Sequence, residues 1–190
     1  MNLPNLILAS GSPRRSEILG AVGWPFRVDV PDVDESGLDG ESPVEYVTRL
    51  SLKKASKVAS RNGDGLVMGA DTTVVVGDEI LGKPADLDDA RAMLRTLSGR
   101  WHEVKTGVSL VKSGNSNVDS CTTRVKFETL SESEIDFLVL NGNPLDKAGA
   151  YAVQAQAALF IEKIEGDYWN VVGLPVSLLY KMASSFNAIR

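Results

Sequence analysis

The stretch LASGSPRRSEIL, Leu8–Leu19, decides how this chain is read. Its start belongs to an apolar run, and Leu6–Ala9 reads as a short buried strand. Ser10-Gly11-Ser12-Pro13 is a turn, with Ser12 at the N-cap and Pro13 at the first position of a helix reaching about Val22. A strand that turns directly into a helix opens an α/β architecture. Arg14 and Arg15 then stand in the first helical turn, where the helix dipole disfavours each cation by about 0.3–1 kcal/mol. An anion at that helix end would explain them. Backbone N–H groups of the turn would point at it, and the guanidiniums would grip its oxygens in forks. Pairing with acidic neighbours explains them about as well.

Strand and helix signals alternate along the rest of the chain. Phe26–Val30 alternates like a strand, and an acidic loop follows it. Ser42-Pro43-Val44-Glu45 is a capping box with proline at the first helical position, opening a helix to about Arg61 that Asn62-Gly63 stops. Leu66–Ala70 and Thr73–Val76 read as two apolar strand segments with Asp71 at their seam. A helix covers Asp86–Leu97, with Gly99 at its stop. Val104–Val111 and Val118–Glu128 form a hairpin around a Ser-Gly-Asn-Ser-Asn turn. Ser131-Glu132-Ser133-Glu134 is a second capping box, and its helix ends near Asn141-Gly142. Ala157–Ile164 reads as a strand and Pro175 to about Ser184 as a helix. With at least one antiparallel pair, the sheet is expected to be mixed.

The bulk numbers restrict the class. A chain of 190 residues suits one domain with a sizeable core. Its formal charge of −5 argues against a nucleic-acid or membrane surface, which needs a basic face. A single cysteine, Cys121, leaves no disulfide framework and no thiolate zinc site, which suits a reducing compartment. The N-terminus has no basic region of the signal-peptide kind, and no run approaches the roughly 20 apolar residues of a membrane span. These features point to a soluble, cytoplasmic protein.

Several residues are chemically out of place. Arg49, Lys53, Lys57 and Arg61 recur every four residues and form a basic stripe, most simply a solvated face. Lys54 lies off that stripe, on the apolar face with Val47, Leu50 and Val58, so it must snorkel out or meet an anion. Asp71 interrupts the apolar run GLVMGADTTVVV, and a carboxylate there must be hydrogen-bonded, metal-bound or catalytic, or else form a turn between strands. Lys83 follows within reach of the same hairpin, and Glu35 supplies a second carboxylate or a plain loop charge. Asp146 and Lys147 precede Ala-Gly-Ala, where backbone can approach a ligand, and Gln154 carries the donor and acceptor needed to read a base edge. His102, the one histidine, reads as structural or exposed. Cations at Arg14, Arg15, Lys54 and Lys83 with carboxylates at Glu35 and Asp71 suit hydrolysis of a polyphosphate. Neither a Walker A sequence nor a dinucleotide fingerprint is present.

The segments LASGSPRR, GADTTVV, GKP, LSGR, DKAGAY and VVGLP occur here in the order found in Maf proteins, and this chain resembles that family over almost its whole length. The resemblance implies a nucleoside triphosphate pyrophosphatase of one domain, residues 1–190. It implies an inosine-triphosphatase-like (Maf/Ham1) fold: an elongated mixed β-sheet flanked by helices, with two lobes and a central cleft. It also implies a divalent metal, Mg²⁺ or Mn²⁺, held by Glu35 and Asp71, and a homodimer. Asp71 matches the proton acceptor, and Arg15, Glu35, Lys54 and Lys83 match active-site positions. Arg14, Thr72 and Gln154 match positions tied to substrate choice, with Ser10 and Ser12 expected to bind substrate. DKAGAYAVQ looks like the dTTP/UTP pyrophosphatase subgroup, although Ala155 stands where that subgroup often has glycine. Hydrolysis of dTTP, UTP or modified pyrimidine nucleotides is the expectation. The rivals are action on 7-methyl-GTP and a regulator of cell division.

Overall fold

The structure, a computed structural model, describes residues 3–186. In chain order the strands are β1 (Leu6–Ala9), β2 (Phe26–Val28), β3 (Leu66–Val76), β4 (Glu79–Leu81), β5 (Trp101–Lys112), β6 (Asn115–Phe127) and β7 (Ile161–Glu165). The helices are α1 (Pro13–Ala21), α2 (Pro43–Ala59), α3 (Leu87–Leu97), α4 (Glu132–Asn141), α5 (Tyr168–Val172) and α6 (Val176–Ser185). The strands form one seven-stranded sheet in the order β2-β1-β3-β5-β6-β7, with β4 paired to β3. β1 pairs in parallel with both β2 and β3, whereas β4 is antiparallel to β3 and β7 to β6. The mixed sheet flanked by helices is the architecture read from the sequence.

The chain divides into two compact units. The first comprises residues 1–72, 106–121 and 173–190; the second comprises 73–105 and 122–172. In the first unit, α2 covers one sheet face through Ala55 and Val58, which pack with Ile7, Ala9, Val67 and Val111. Two glycines set that approach. A Cβ at Gly69 would stand 2.2 Å from the Ser51 carbonyl oxygen, and one at Gly107 would stand 2.3 Å from that of Val47. The helix backbone therefore rests directly on β3 and β5. In the second unit, α3 and α4 pack together and are tied by Arg91 with Asp136 and by Arg95 with Glu132.

Both predicted capping boxes are present, Ser42 with Glu45 and Ser131 with Glu134. Ser12 occupies the N-cap position of α1, but its side chain makes no cap bond. Three other expectations need correction. β3 is one continuous strand rather than two segments, because Lys54 compensates the buried Asp71 carboxylate and no break is needed. The β5–β6 hairpin turns at Ser113 and Gly114 alone, both at positive φ (49° and 79°), so both strands run longer than the sequence reading allowed. The stretch read as a strand over 157–164 is a 3₁₀ turn, Gln156–Leu159, followed by β7. The short helix α5 carried no signal long enough to be read.

Candidate active site

β1 ends at Ala9, opposite Gly69, and β3 runs on past it. Asp71 and Thr72 therefore project from β3 beyond the carboxyl end of its parallel neighbour, where open α/β sheets bind ligands. Being consecutive in a strand, they point to opposite faces.

On the α2 face, Lys54 meets Asp71. The lysine Nζ lies 2.6 Å from Asp71 Oδ1 and 2.7 Å from Glu35 Oε1. Lys54 and Asp71 are each only 7% exposed, whereas Glu35 is exposed. Lys54 is thus no snorkelling side chain: its ammonium joins two carboxylates. The helix that carries it is seated by Gly69, two residues before Asp71 on the same strand face. Glu35 reaches the same ammonium because its loop is strapped to α2. Arg49 bonds Glu41 and the Ser36 carbonyl, Lys53 donates to the Asp34 carbonyl, Arg61 bonds Asp29, and the Tyr46 hydroxyl donates to the Glu35 carbonyl. Three members of the basic stripe read as a solvated face, Arg49, Lys53 and Arg61, hold this loop in place.

The electrostatics of Asp71 follow from its burial. Desolvation pushes its carboxyl above the usual range, while the charge and hydrogen bond of Lys54 and the charge of Arg15 pull it back. A carboxylate balanced in this way is suited to accept a proton.

On the other face, Thr72 meets Arg15. Arg15 is 8% exposed; its Nη2 donates to Thr72 Oγ1 at 3.1 Å, its Nη1 to Ser10 Oγ at 2.9 Å and its Nε to the Gly173 carbonyl at 3.0 Å. Burial lowers the Arg15 pKa, which the charge of Asp71 opposes. Ser10 Oγ also accepts from the Ser12 N–H, so that donor of the turn is engaged. Arg14 is half-buried.

The first unit thus brings together Ser10, Ser12, Arg15 and Thr72 in one network and Glu35, Lys54 and Asp71 in another. Lys83 and Gln154 lie in the second unit, both exposed. There, the Gly149 N–H donates to the Gly82 carbonyl at 3.0 Å, which joins the Gly-Lys-Pro segment to the Asp146–Tyr151 segment. Gly149 has φ +67°, and a Cβ there would meet Val74 at 2.9 Å, so glycine is needed for this approach. Ala155 has φ −121°, outside the left-handed region that would call for glycine. His102 is buried against Phe127, with Nε2 2.8 Å from the Tyr151 hydroxyl, so of the two sequence readings the exposed one is corrected. Sequence reasoning missed Gly69 and Gly107, although an isolated glycine inside a strand pattern does signal close backbone approach.

The donor set around Asp71 fits a divalent cation of the Mg²⁺ type. Two carboxylates from different segments, Glu35 and Asp71, converge on the Lys54 ammonium, and ions of the Mg²⁺ type are held by one or two carboxylates together with substrate phosphates. Among the described residues, no three His, Cys, Asp or Glu side chains gather as an all-protein metal site.

Comparison with known proteins bears on this geometry. The dTTP/UTP pyrophosphatase of Symbiobacterium thermophilum is 50% identical over 184 residues, covering 97% of this chain and 95% of that protein. Proteins of the same name from Hahella chejuensis and Thermotoga maritima are 50% identical over 174 residues and 48% identical over 178. These alignments cover 90% and 93% of this chain, and 87% and 86% of the relatives. Among solved structures, the Staphylococcus aureus Ham1 protein matches with a TM-score of 0.54 at 13% identity, over 96% of this chain and 99% of that one. At that identity the likeness is one of fold. The family model described as Maf-like protein matches residues 5–186, a span that takes in every residue of both networks, and the chain belongs to the Maf family.

Proposed function

We propose that this protein is a nucleoside triphosphate pyrophosphatase that hydrolyses dTTP and UTP to the monophosphate and pyrophosphate. The observation that carries the reading is the buried Asp71 carboxylate, held 2.6 Å from Lys54 with Glu35 on the same ammonium. The names of relatives up to 50% identical support the substrate pair.

In this reading a water attacks the α-phosphorus and Asp71 takes its proton. The bond from the α-phosphorus to the α,β-bridging oxygen breaks, and pyrophosphate departs. Lys54 orients Asp71 and, with Lys83, stabilises charge that grows on the phosphates. Glu35 and Asp71 would hold Mg²⁺ or Mn²⁺, which when bound neutralises phosphate charge. The motif match ties Arg14, Thr72 and Gln154 to substrate choice, and Ser10 and Ser12 belong to the substrate-binding turn. For Lys83 and Gln154 the support is the motif match alone. A homodimer in the cytoplasm is part of the same proposal. Among the described residues no helix is long and apolar enough to cross a membrane.

The test is pyrophosphate release from dTTP, UTP, CTP, GTP and 7-methyl-GTP, with Mg²⁺, with Mn²⁺ and with chelator. Metal-dependent release from dTTP and UTP is expected. Preference for 7-methyl-GTP would overturn the substrate assignment, and no release from any nucleotide by folded protein would overturn the enzyme assignment.

A further inference from the structure

The motif match makes Arg15 an active-site cation, yet its contacts are of another kind. Each of its three side-chain nitrogens donates to a neutral oxygen of the protein: Ser10 Oγ, Thr72 Oγ1 and the Gly173 carbonyl. The side chain is 8% exposed, and turning the fork toward a ligand would break three hydrogen bonds of a buried cation. Thr72 Oγ1 in turn lies 2.9 Å from Thr106 Oγ1 and 3.3 Å from the Gly173 carbonyl. A hydroxyl has one proton to give and two lone pairs to receive. Thr72 Oγ1 therefore has three protein partners, Arg15, Thr106 and Gly173.

Thr72, Thr106 and Gly173 come from three separate parts of the chain, and each is the residue of the first unit at which the chain leaves or enters that unit. Arg15 bonds two of them directly and the third through Thr72. One peptide bond from Thr72, Asp71 projects to the opposite strand face, where Lys54 holds it. The base is therefore clamped from both faces of β3: by an ammonium on its own carboxylate, and by a guanidinium on the next residue.

We propose that Arg15 is a positioning residue, whose guanidinium fork fixes Thr72 and through the β3 backbone the Asp71 carboxylate, rather than a ligand of the substrate phosphates. The inference rests on Asp71 as the base. A phosphate ligand would act mainly on binding, and lysine would replace it in part, because lysine also binds phosphate as a point charge. A positioning fork would act on turnover, and lysine would not replace its geometry.

The experiment compares Arg15→Lys, Thr72→Val, Thr72→Ser and the Arg15→Lys/Thr72→Val double variant. It records kcat and KM for dTTP, affinity for a non-hydrolysable α,β-methylene analogue of dTTP, and Tm. The proposal expects Arg15→Lys and Thr72→Val each to lower kcat about tenfold or more, with analogue affinity of Arg15→Lys within about twofold of wild type. The double variant should be no worse than the poorer single one, because both break the same clamp. Thr72→Ser should recover most of what Thr72→Val loses. Thr72→Val is close to isosteric and keeps the test open if Arg15→Lys fails to fold. Unchanged kcat in Thr72→Val, losses that multiply in the double variant, or analogue affinity that falls about tenfold in Arg15→Lys would each overturn the proposal. Wild-type protein that releases no pyrophosphate would instead overturn the reading of Asp71 as a base.

Discussion

The Lys54 ammonium stands 2.6 Å from the Asp71 carboxylate, and both groups are buried. Burial raises the Asp71 pKa and Lys54 opposes that rise. Two consequences follow, one for pH and one for turnover.

As a base, Asp71 works only when ionised. The acid limb of kcat/KM should therefore fall at a pH above the ordinary aspartate value of about 3.9. Lys54 favours the ionised form, so Lys54→Met should move that limb to higher pH. A pH–rate profile of wild type and variant checks both statements, and a limb that stays in place would remove Asp71 as its source.

Asp71→Asn keeps the shape of the side chain and removes its basicity. Turnover should drop by about 10²–10⁴, the usual contribution of a general base, while KM changes only a few-fold. Steady-state kinetics on dTTP read this directly. Near-normal kcat would show that another group takes the proton.

Gly69 and Gly107 let the backbone of α2 rest on the sheet, and α2 carries Lys54. Alanine at either position must push the helix outward. Each substitution should destabilise the fold by about 1–3 kcal/mol, as overpacking does, and should also lower kcat by drawing Lys54 from Asp71. Denaturant unfolding together with kinetics separates the two effects; wild-type values for both would show that the helix does not rest on these residues.

His102 is buried, and its pKa falls from 6.5 to about 4 because desolvation disfavours the charged ring. The unfolded chain takes up a proton on this residue below about pH 6.5, whereas the folded chain does not until about pH 4. Its contribution to stability is therefore complete above pH 6.5 and declines as the pH falls toward 4, by about 3 kcal/mol in all. His102→Gln should flatten that part of the wild-type stability–pH curve. Parallel curves for the two proteins between pH 4 and 7 would contradict the burial argument.

The elements that proved legible are those whose causes are local. Both capping boxes, the strand–turn–helix around Ser10–Pro13, the amphipathic helix α3 and the β5–β6 hairpin follow from side chains within a few residues of one another. So does the oddity of Lys54: a periodicity of 3.6 places it on an apolar face whatever the helix packs against. Asp71 was legible for the same reason, as a charge inside a strand pattern.

What the sequence determined by itself was thus the α/β class, most element positions, the family and the set of unusual charges. The tertiary structure alone decided which charges meet. Lys54 and Asp71 are 17 residues apart and Arg15 and Gly173 are 158 apart, and no local pattern encodes those distances. It turned two strand segments into one, because an ammonium delivered by a distant helix removes the cost of burying a carboxylate in mid-strand. It also separated two adjacent arginines in role. A helix advances about 100° per residue, so Arg15 turns into the sheet, where three of its five N–H groups bond protein oxygens, while Arg14 stays half-exposed.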